Sequence, residues 1–240
     1  MKKKLIIITS SVILLLLTVF LIILFAVIIP KKNEEKEWEE LVRKYYSEKL
    51  ETYKKENELY DDYEVDIVFL GDSLTDGYDV KAYYSEYLVS NRGIGGDTTI
   101  GLENRLEVSA YELKPKVIVM LIGANNMSEM FTNYEEILKG FKENLPNTKI
   151  VILSLTAMGG EHWGRKNELA AYNNVKIKKY AIKYGYYYVD LFTPLFDEDK
   201  GEVYDGYTVD GGHFTKEGYD VVTSIVKPVV EEALNDYYNG

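Results

Sequence analysis

Ser73 stands in the stretch FLGDSLTDG, where an apolar run ends at Gly71 and an Asp-Ser pair follows. A serine hydroxyl is a weak nucleophile and needs an adjacent base, most often a histidine held in one tautomer by a carboxylate. The chain has two histidines. His213 lies in DGGH, three residues after Asp210. A loop of that length can turn so that the carboxylate meets one ring nitrogen while the other points away. His162 has Glu161 directly beside it, and adjacent side chains rarely face each other so usefully, which makes His213 the better base. Acyl transfer also builds negative charge on a carbonyl oxygen, and donors must already stand where that charge appears. Three candidates offer themselves: the Ser73 backbone N–H at the start of a helix, the Gly96 N–H in NRGIGGDTT, and the Asn125 side chain in IGANN.

These residues need elements that bring them together. Stretches at 65–70, 87–94, 116–122, 149–155 and 186–191 read as strands, the most apolar at 116–122 and the second ending in glycines. Helical spacing fills 98–114, 133–145, 165–184 and about 215–236, with a kink or restart expected at Pro228. Strands alternating with helices imply a parallel sheet covered on both faces. In such sheets ligands sit beyond the carboxyl ends of the strands. Serine, oxyanion donors and the Asp-His pair fall on four separate loops that follow the apolar runs, so the architecture would gather them at one edge. Each stretch alone is a common turn or helix cap; together, in this order, they make one constellation.

The blocks GDSL (71–74), GIGGDTT (93–99), GANN (123–126) and DGGH (210–213) resemble those of the SGNH hydrolases, also called GDSL esterases/lipases. The resemblance covers residues 65–236. It implies a flavodoxin-like α/β fold, a three-layer α/β/α sandwich around a five-stranded parallel sheet. It implies Ser73 as nucleophile, His213 as base oriented by Asp210, and an oxyanion hole made by Ser73, Gly96 and Asn125. The third block often ends in Asp, where this chain has Asn126; the donor Asn125 is kept. No metal or organic cofactor is implied, and two histidines without a cysteine are poor zinc ligands.

The formal net charge is −11, with Lys2, Lys3 and Lys4 ahead of everything else. So acidic a surface would repel phosphate backbones, so no nucleic-acid partner is expected. The absence of cysteine excludes disulfides and thiolate chemistry. Residues 5–29 carry no charge and are long enough to span a bilayer. The flanking FAVIIPKKN lacks the small residues of a cleavage site, so an uncleaved signal anchor is expected. The organisation that follows is a basic N-terminus (1–4), a transmembrane anchor (5–29), a charged juxtamembrane amphipathic helix (30–60) and the hydrolase domain (61–240). A single-pass membrane protein with an extracytoplasmic domain is the expected location.

The substrate is less defined. Asp72, His162, Trp163 and Arg165 are candidate contacts, Trp163 as a platform for a sugar ring or simply as packing for its loop. An acetyl or other short-chain ester on a carbohydrate or cell-envelope glycan comes first. A lysophospholipase, short-chain lipid esterase or thioesterase comes second, and a non-catalytic binding module on the same fold third.

Overall fold

The computed structural model describes residues 29–240, and the expected membrane span at 5–29 lies outside them but for Ile29. Among the described residues no helix is long and apolar enough to cross a membrane. The described residues divide into two units, one ending at Lys49 and the other Leu50–Gly240. Helix α1 (Ile29–Asn57) runs from the first into the second.

The second unit is built on β1 (Ile67–Gly71), β2 (Val89–Gly93), β3 (Val117–Leu121), β4 (Lys149–Leu153) and β5 (Tyr187–Val189), in the spatial order β2-β1-β3-β4-β5. Every pair is parallel, and the register sets Gly71 of β1 beside Gly93 of β2 and Leu121 of β3. The inner strands are apolar without interruption because both faces are covered. Successive side chains point to opposite faces, and the packing divides accordingly. Val68, Leu70, Ile118, Met120, Ile150 and Ile152 share one core with Leu102, Leu106, Ile137, Phe141 and Ile177. Ile67, Phe69, Val117, Val119, Val151 and Leu153 share the other with Tyr78, Tyr84, Val222, Val226 and Val230. These are the three layers, helices on each side of the sheet, that alternating strands and helices required.

The helices are α2 (Ser73–Asp76), α3 (Thr99–Asn104), α4 (Tyr134–Asn144), α5 (Asn167–Tyr184) and α6 (Lys216–Asn239), with single turns between them. Two expectations are corrected. The single helix expected over 98–114 is split: α3 ends at Asn104, Arg105 caps it, and the chain resumes as a π-turn over Glu107–Tyr111. The final helix does not restart at Pro228 but continues through it in one span. A small antiparallel hairpin, Phe196–Asp197 with Glu202–Val203, was not expected.

Candidate active site

β1 delivers the serine. The strand stops at Gly71, Asp72 caps the next helix by accepting the Leu74 N–H at 3.1 Å, and Ser73 is the first residue of α2. This turn is close-packed. A Cβ on Gly71 would lie 2.3 Å from the Leu121 carbonyl oxygen, and one on Gly93 would lie 2.2 Å from the Asp76 nitrogen. Glycine at both positions lets the head of α2 sit directly on the ends of the neighbouring strands.

The loop before α6 delivers the histidine. Asp210 accepts the Gly212 and His213 backbone N–H groups at 2.9 and 2.8 Å through one oxygen, and the other oxygen lies 2.8 Å from His213 Nδ1. Burial pushes the Asp210 carboxyl upward, but these N–H groups and the imidazole outweigh it and hold its pKa down at about 2. The carboxylate is therefore ionised near neutrality and accepts a hydrogen bond from Nδ1–H. That tautomer leaves Nε2 as an acceptor, and Nε2 lies 2.9 Å from Ser73 Oγ. The two residues are 140 positions apart in the chain. The loop is held by β4's extension: the Gly159 N–H donates to the Gly211 carbonyl at 2.8 Å. Gly211 has φ +88°, and a Cβ there would lie 1.9 Å from the Gly159 oxygen.

The oxyanion candidates come from the ends of β2 and β3. Gly96 is exposed with φ +78° and open space where a Cβ would be, so conformation rather than crowding calls for glycine there. Asn125 is exposed, and one N–H of its amide donates to the Asp97 carbonyl at 2.9 Å. An amide has a second N–H to offer a substrate oxygen. Asn126 does not line up with Asn125. Its amide pairs with Thr99, whose backbone N–H it accepts at 3.3 Å and whose hydroxyl it donates to at 2.8 Å. The residue that departs from the familiar block therefore ties the third loop to α3.

Asp72 is wholly buried, and its second oxygen has no hydrogen-bond partner. Burial first, and the neighbouring Asp97 charge as a lesser cause, raise its pKa to about 7, against the pull of the Leu74 N–H and His213. The carboxyl next to Ser73 is therefore largely uncharged below neutrality. Asp72 is a capping and packing residue in this geometry, and its buried side chain has no exposed face for a substrate. His162 and Arg165 are exposed on the loop after β4, and Trp163 is half-buried beside them. The Trp163 indole crosses the His213 ring edge-on at 6.1 Å, presses against Gly212 and carries the Lys166 ammonium 4.2 Å from its ring centre. A cavity of about 360 Å³ opens beside Asn125, lined by Asn126, Ser128, Glu129, Lys166 and Leu169 among others.

Several supporting residues escape sequence reasoning. Arg105 is fully buried and donates to Asp97 at 2.7 Å, to the Gly71 carbonyl at 3.0 Å and to the Arg92 carbonyl at 2.8 Å. One guanidinium thus joins the ends of β1 and β2 to the Gly96 loop. A signal was present: Leu102, Arg105, Leu106 and Ser109 share one helical stripe, and a cation on an apolar stripe asks for a buried partner. Asn167 similarly grips both the N–H and the carbonyl of Met158, at 2.9 and 2.7 Å.

A GDSL-like lipase/acylhydrolase family model matches residues 69–221. Solved structures share the fold. A protein from Streptococcus pneumonia named after platelet activating factor is 24% identical, covering 83% of this chain and 99% of its own, with a TM-score of 0.75. A GDSL-like lipase from Bacteroides thetaiotaomicron is 24% identical over 77% and 98% of the two chains, with a TM-score of 0.68. An acetyl xylan esterase variant from Geobacillus stearothermophilus is 19% identical over 70% and 95%, with a TM-score of 0.57. No curated protein matches the chain.

Proposed function

Since this chain belongs to the GDSL-like lipase/acylhydrolase family and is a hydrolase of ester bonds, we propose that it is a serine esterase for short acyl groups, acetyl first, carried on a carbohydrate. The observation that carries the reading is the relay Ser73 Oγ–His213 Nε2 at 2.9 Å backed by His213 Nδ1–Asp210 at 2.8 Å.

In this mechanism His213 takes the Ser73 proton as Oγ attacks the ester carbonyl. The carbonyl oxygen becomes an anion held by the Ser73 and Gly96 N–H groups and the Asn125 amide. His213 then gives its proton to the leaving alcohol. Water, deprotonated by the same ring, attacks the acyl-serine and frees the acid. Asp210 holds the tautomer and balances the imidazolium. Burial raises the pKa of the Asp72 carboxyl beside Ser73 to about 7, so near neutrality it carries less than a full charge against the oxyanion.

Polar side chains at the cavity beside Asn125 support a hydroxyl-bearing alcohol, with Glu129 and Lys166 available to hydrogen-bond it. Trp163, edge-on to His213 and in contact with Lys166 of the cavity lining, then offers a platform for the alcohol, with His162 and Arg165 exposed on the same loop. The same reading tethers the enzyme through residues 5–29 with the hydrolase domain on the extracytoplasmic side.

The test compares the purified full chain with its Ser73→Ala variant on acetyl and octanoyl nitrophenyl esters. The expected result is loss of at least about a thousandfold in kcat in the variant, and a wild-type preference for acetyl. Near-wild-type hydrolysis by Ser73→Ala would end the assignment. A preference for octanoyl would move the substrate from acetylated glycans to lipids.

A further inference from the structure

The last two turns of α1 belong to the compact unit that holds the site, and they reach the end of β2. The Tyr53 hydroxyl, in a buried side chain, donates to the Gly93 carbonyl at 2.6 Å. The Tyr53 ring lies under the guanidinium of the buried Arg92, 4.6 Å from its centre. One turn on, Asn57 accepts from Arg92 Nη2 at 2.9 Å and donates to the Val108 carbonyl at 2.8 Å, while Glu56 lies 3.3 Å from the same Nη2.

Gly93 is a junction. It is the last residue of β2, three positions before Gly96. It touches the body of α2, as the 2.2 Å approach of a hypothetical Cβ to the Asp76 nitrogen demonstrates. The Gly95 N–H then donates to the Asp76 carboxylate at 3.1 Å. The Arg92 carbonyl, next to Gly93, is gripped by Arg105, which also holds Asp97 and Gly71. The nucleophile helix and the oxyanion loop therefore meet at Gly93. Tyr53 bonds it from one side, and the Arg105 network holds its neighbours in place.

We infer that Tyr53 is a positioning residue for ester hydrolysis, acting through the Gly93 carbonyl to fix the Gly96 loop relative to Ser73. This rests on the proposed Ser73–His213 mechanism with Gly96 and Asn125 as oxyanion donors. An oxyanion donor contributes most in the transition state, where the charge is largest. A loosened loop therefore lowers kcat and leaves ground-state binding alone.

The experiment is a double-mutant cycle on the full chain with acetyl nitrophenyl ester, well below every variant's thermal midpoint. Tyr53→Phe keeps the ring over Arg92 and removes only the hydroxyl. It is expected to lower kcat roughly 5–30-fold, the range for one lost buried hydrogen bond, with KM within about twofold. In an Asn125→Ala background the same substitution is expected to cost at least threefold less, because the two residues serve one oxyanion site. If Tyr53→Phe lowers only the thermal midpoint and leaves kcat within 1.5-fold (roughly, a few tenths of a kcal/mol), Tyr53 is structural and the inference fails. Equal cost in both backgrounds overturns it too. Should Tyr53→Phe not fold, Asn57→Ala, which loosens the same turn, takes its place with the same two criteria. Ser73→Ala run alongside separates the levels: activity surviving there removes the mechanism and the inference together, whereas an inactive Ser73→Ala with a fully active Tyr53→Phe removes the inference alone.

Discussion

Two carboxyl groups in this site are tuned in opposite directions by their surroundings. Asp210 collects three hydrogen bonds and stays ionised, with a pKa near 2. Asp72 is sealed under Ser73 with one partner for two oxygens, and its pKa rises to about 7. Linkage turns the second shift into a measurable effect. Between pH 4 and 7 folded Asp72 keeps a proton that the unfolded chain has released, so its contribution to stability is full at low pH and falls as pH rises. Asp210 works with the other sign: its contribution is present above pH 4 and falls away toward pH 2, outside that window. Asp97, also raised by burial, shares the first trend. The informative quantity is therefore the difference between wild type and Asp72→Asn. The asparagine keeps the acceptor for Leu74 and cannot ionise. Asp72→Asn is expected to match wild type near pH 4 and to gain on it by up to about 4 kcal/mol by pH 8. Denaturant midpoints across that range measure it, and parallel curves for the two proteins would show that Asp72 is ionised throughout.

The elements explain why such residues meet at all. β1, β2 and β3 end in register at Gly71, Gly93 and Leu121, so the loops that follow them start from one line. Gly93→Ala tests how tightly that line is drawn. The added methyl falls 2.2 Å from the Asp76 backbone nitrogen, an atom that cannot rotate away. Either α2 or the end of β2 must shift, at about 1–3 kcal/mol for overpacking, and Ser73 or Gly96 moves with it. Loss of at least tenfold in kcat/KM together with a lowered thermal midpoint is the expected result; a fully active, fully stable variant would mean the two elements are not coupled there. Much at this scale was legible in the sequence. The inner strands β1, β3 and β4 announce themselves as largely apolar runs, and Ser73 and the Asp210–His213 pair lie in short local motifs, the pair only three positions apart. What stayed hidden depends on partners far away: Tyr53 finds Gly93 forty positions on, and Asn57 finds Val108 fifty-one positions on. The π-turn after Arg105 was hidden for another reason. A helix read from spacing alone has no knowledge of a guanidinium that must turn inward to reach Asp97.

At the scale of the whole molecule, composition groups residues 30–60 with the charged stretch that follows the apolar run, yet the compact unit that carries the site begins at Leu50. The boundary has consequences for both folding and tethering. A chain starting at Leu50 keeps Tyr53, Glu56 and Asn57; one starting at Asp61 leaves the buried Arg92 guanidinium without two of its partners. Removing the partners of a buried charge costs about 3–5 kcal/mol. The Leu50 chain is therefore expected to fold and to hydrolyse acetyl ester in a Ser73-dependent way, and the Asp61 chain to unfold at markedly lower denaturant. Tethering is a separate matter, because a net charge of −11 gives no electrostatic hold on an anionic surface. If the proposed anchor at 5–29 holds the enzyme by apolar burial, the full chain expressed in cells should sediment with membranes in low salt and in about 1 M salt alike, where surface attraction is screened within about 3 Å. The Leu50 chain should stay in the supernatant in both. Release of the full chain by salt would replace insertion with a peripheral contact. A Leu50 chain that still sediments would place the membrane-binding surface on the hydrolase domain itself.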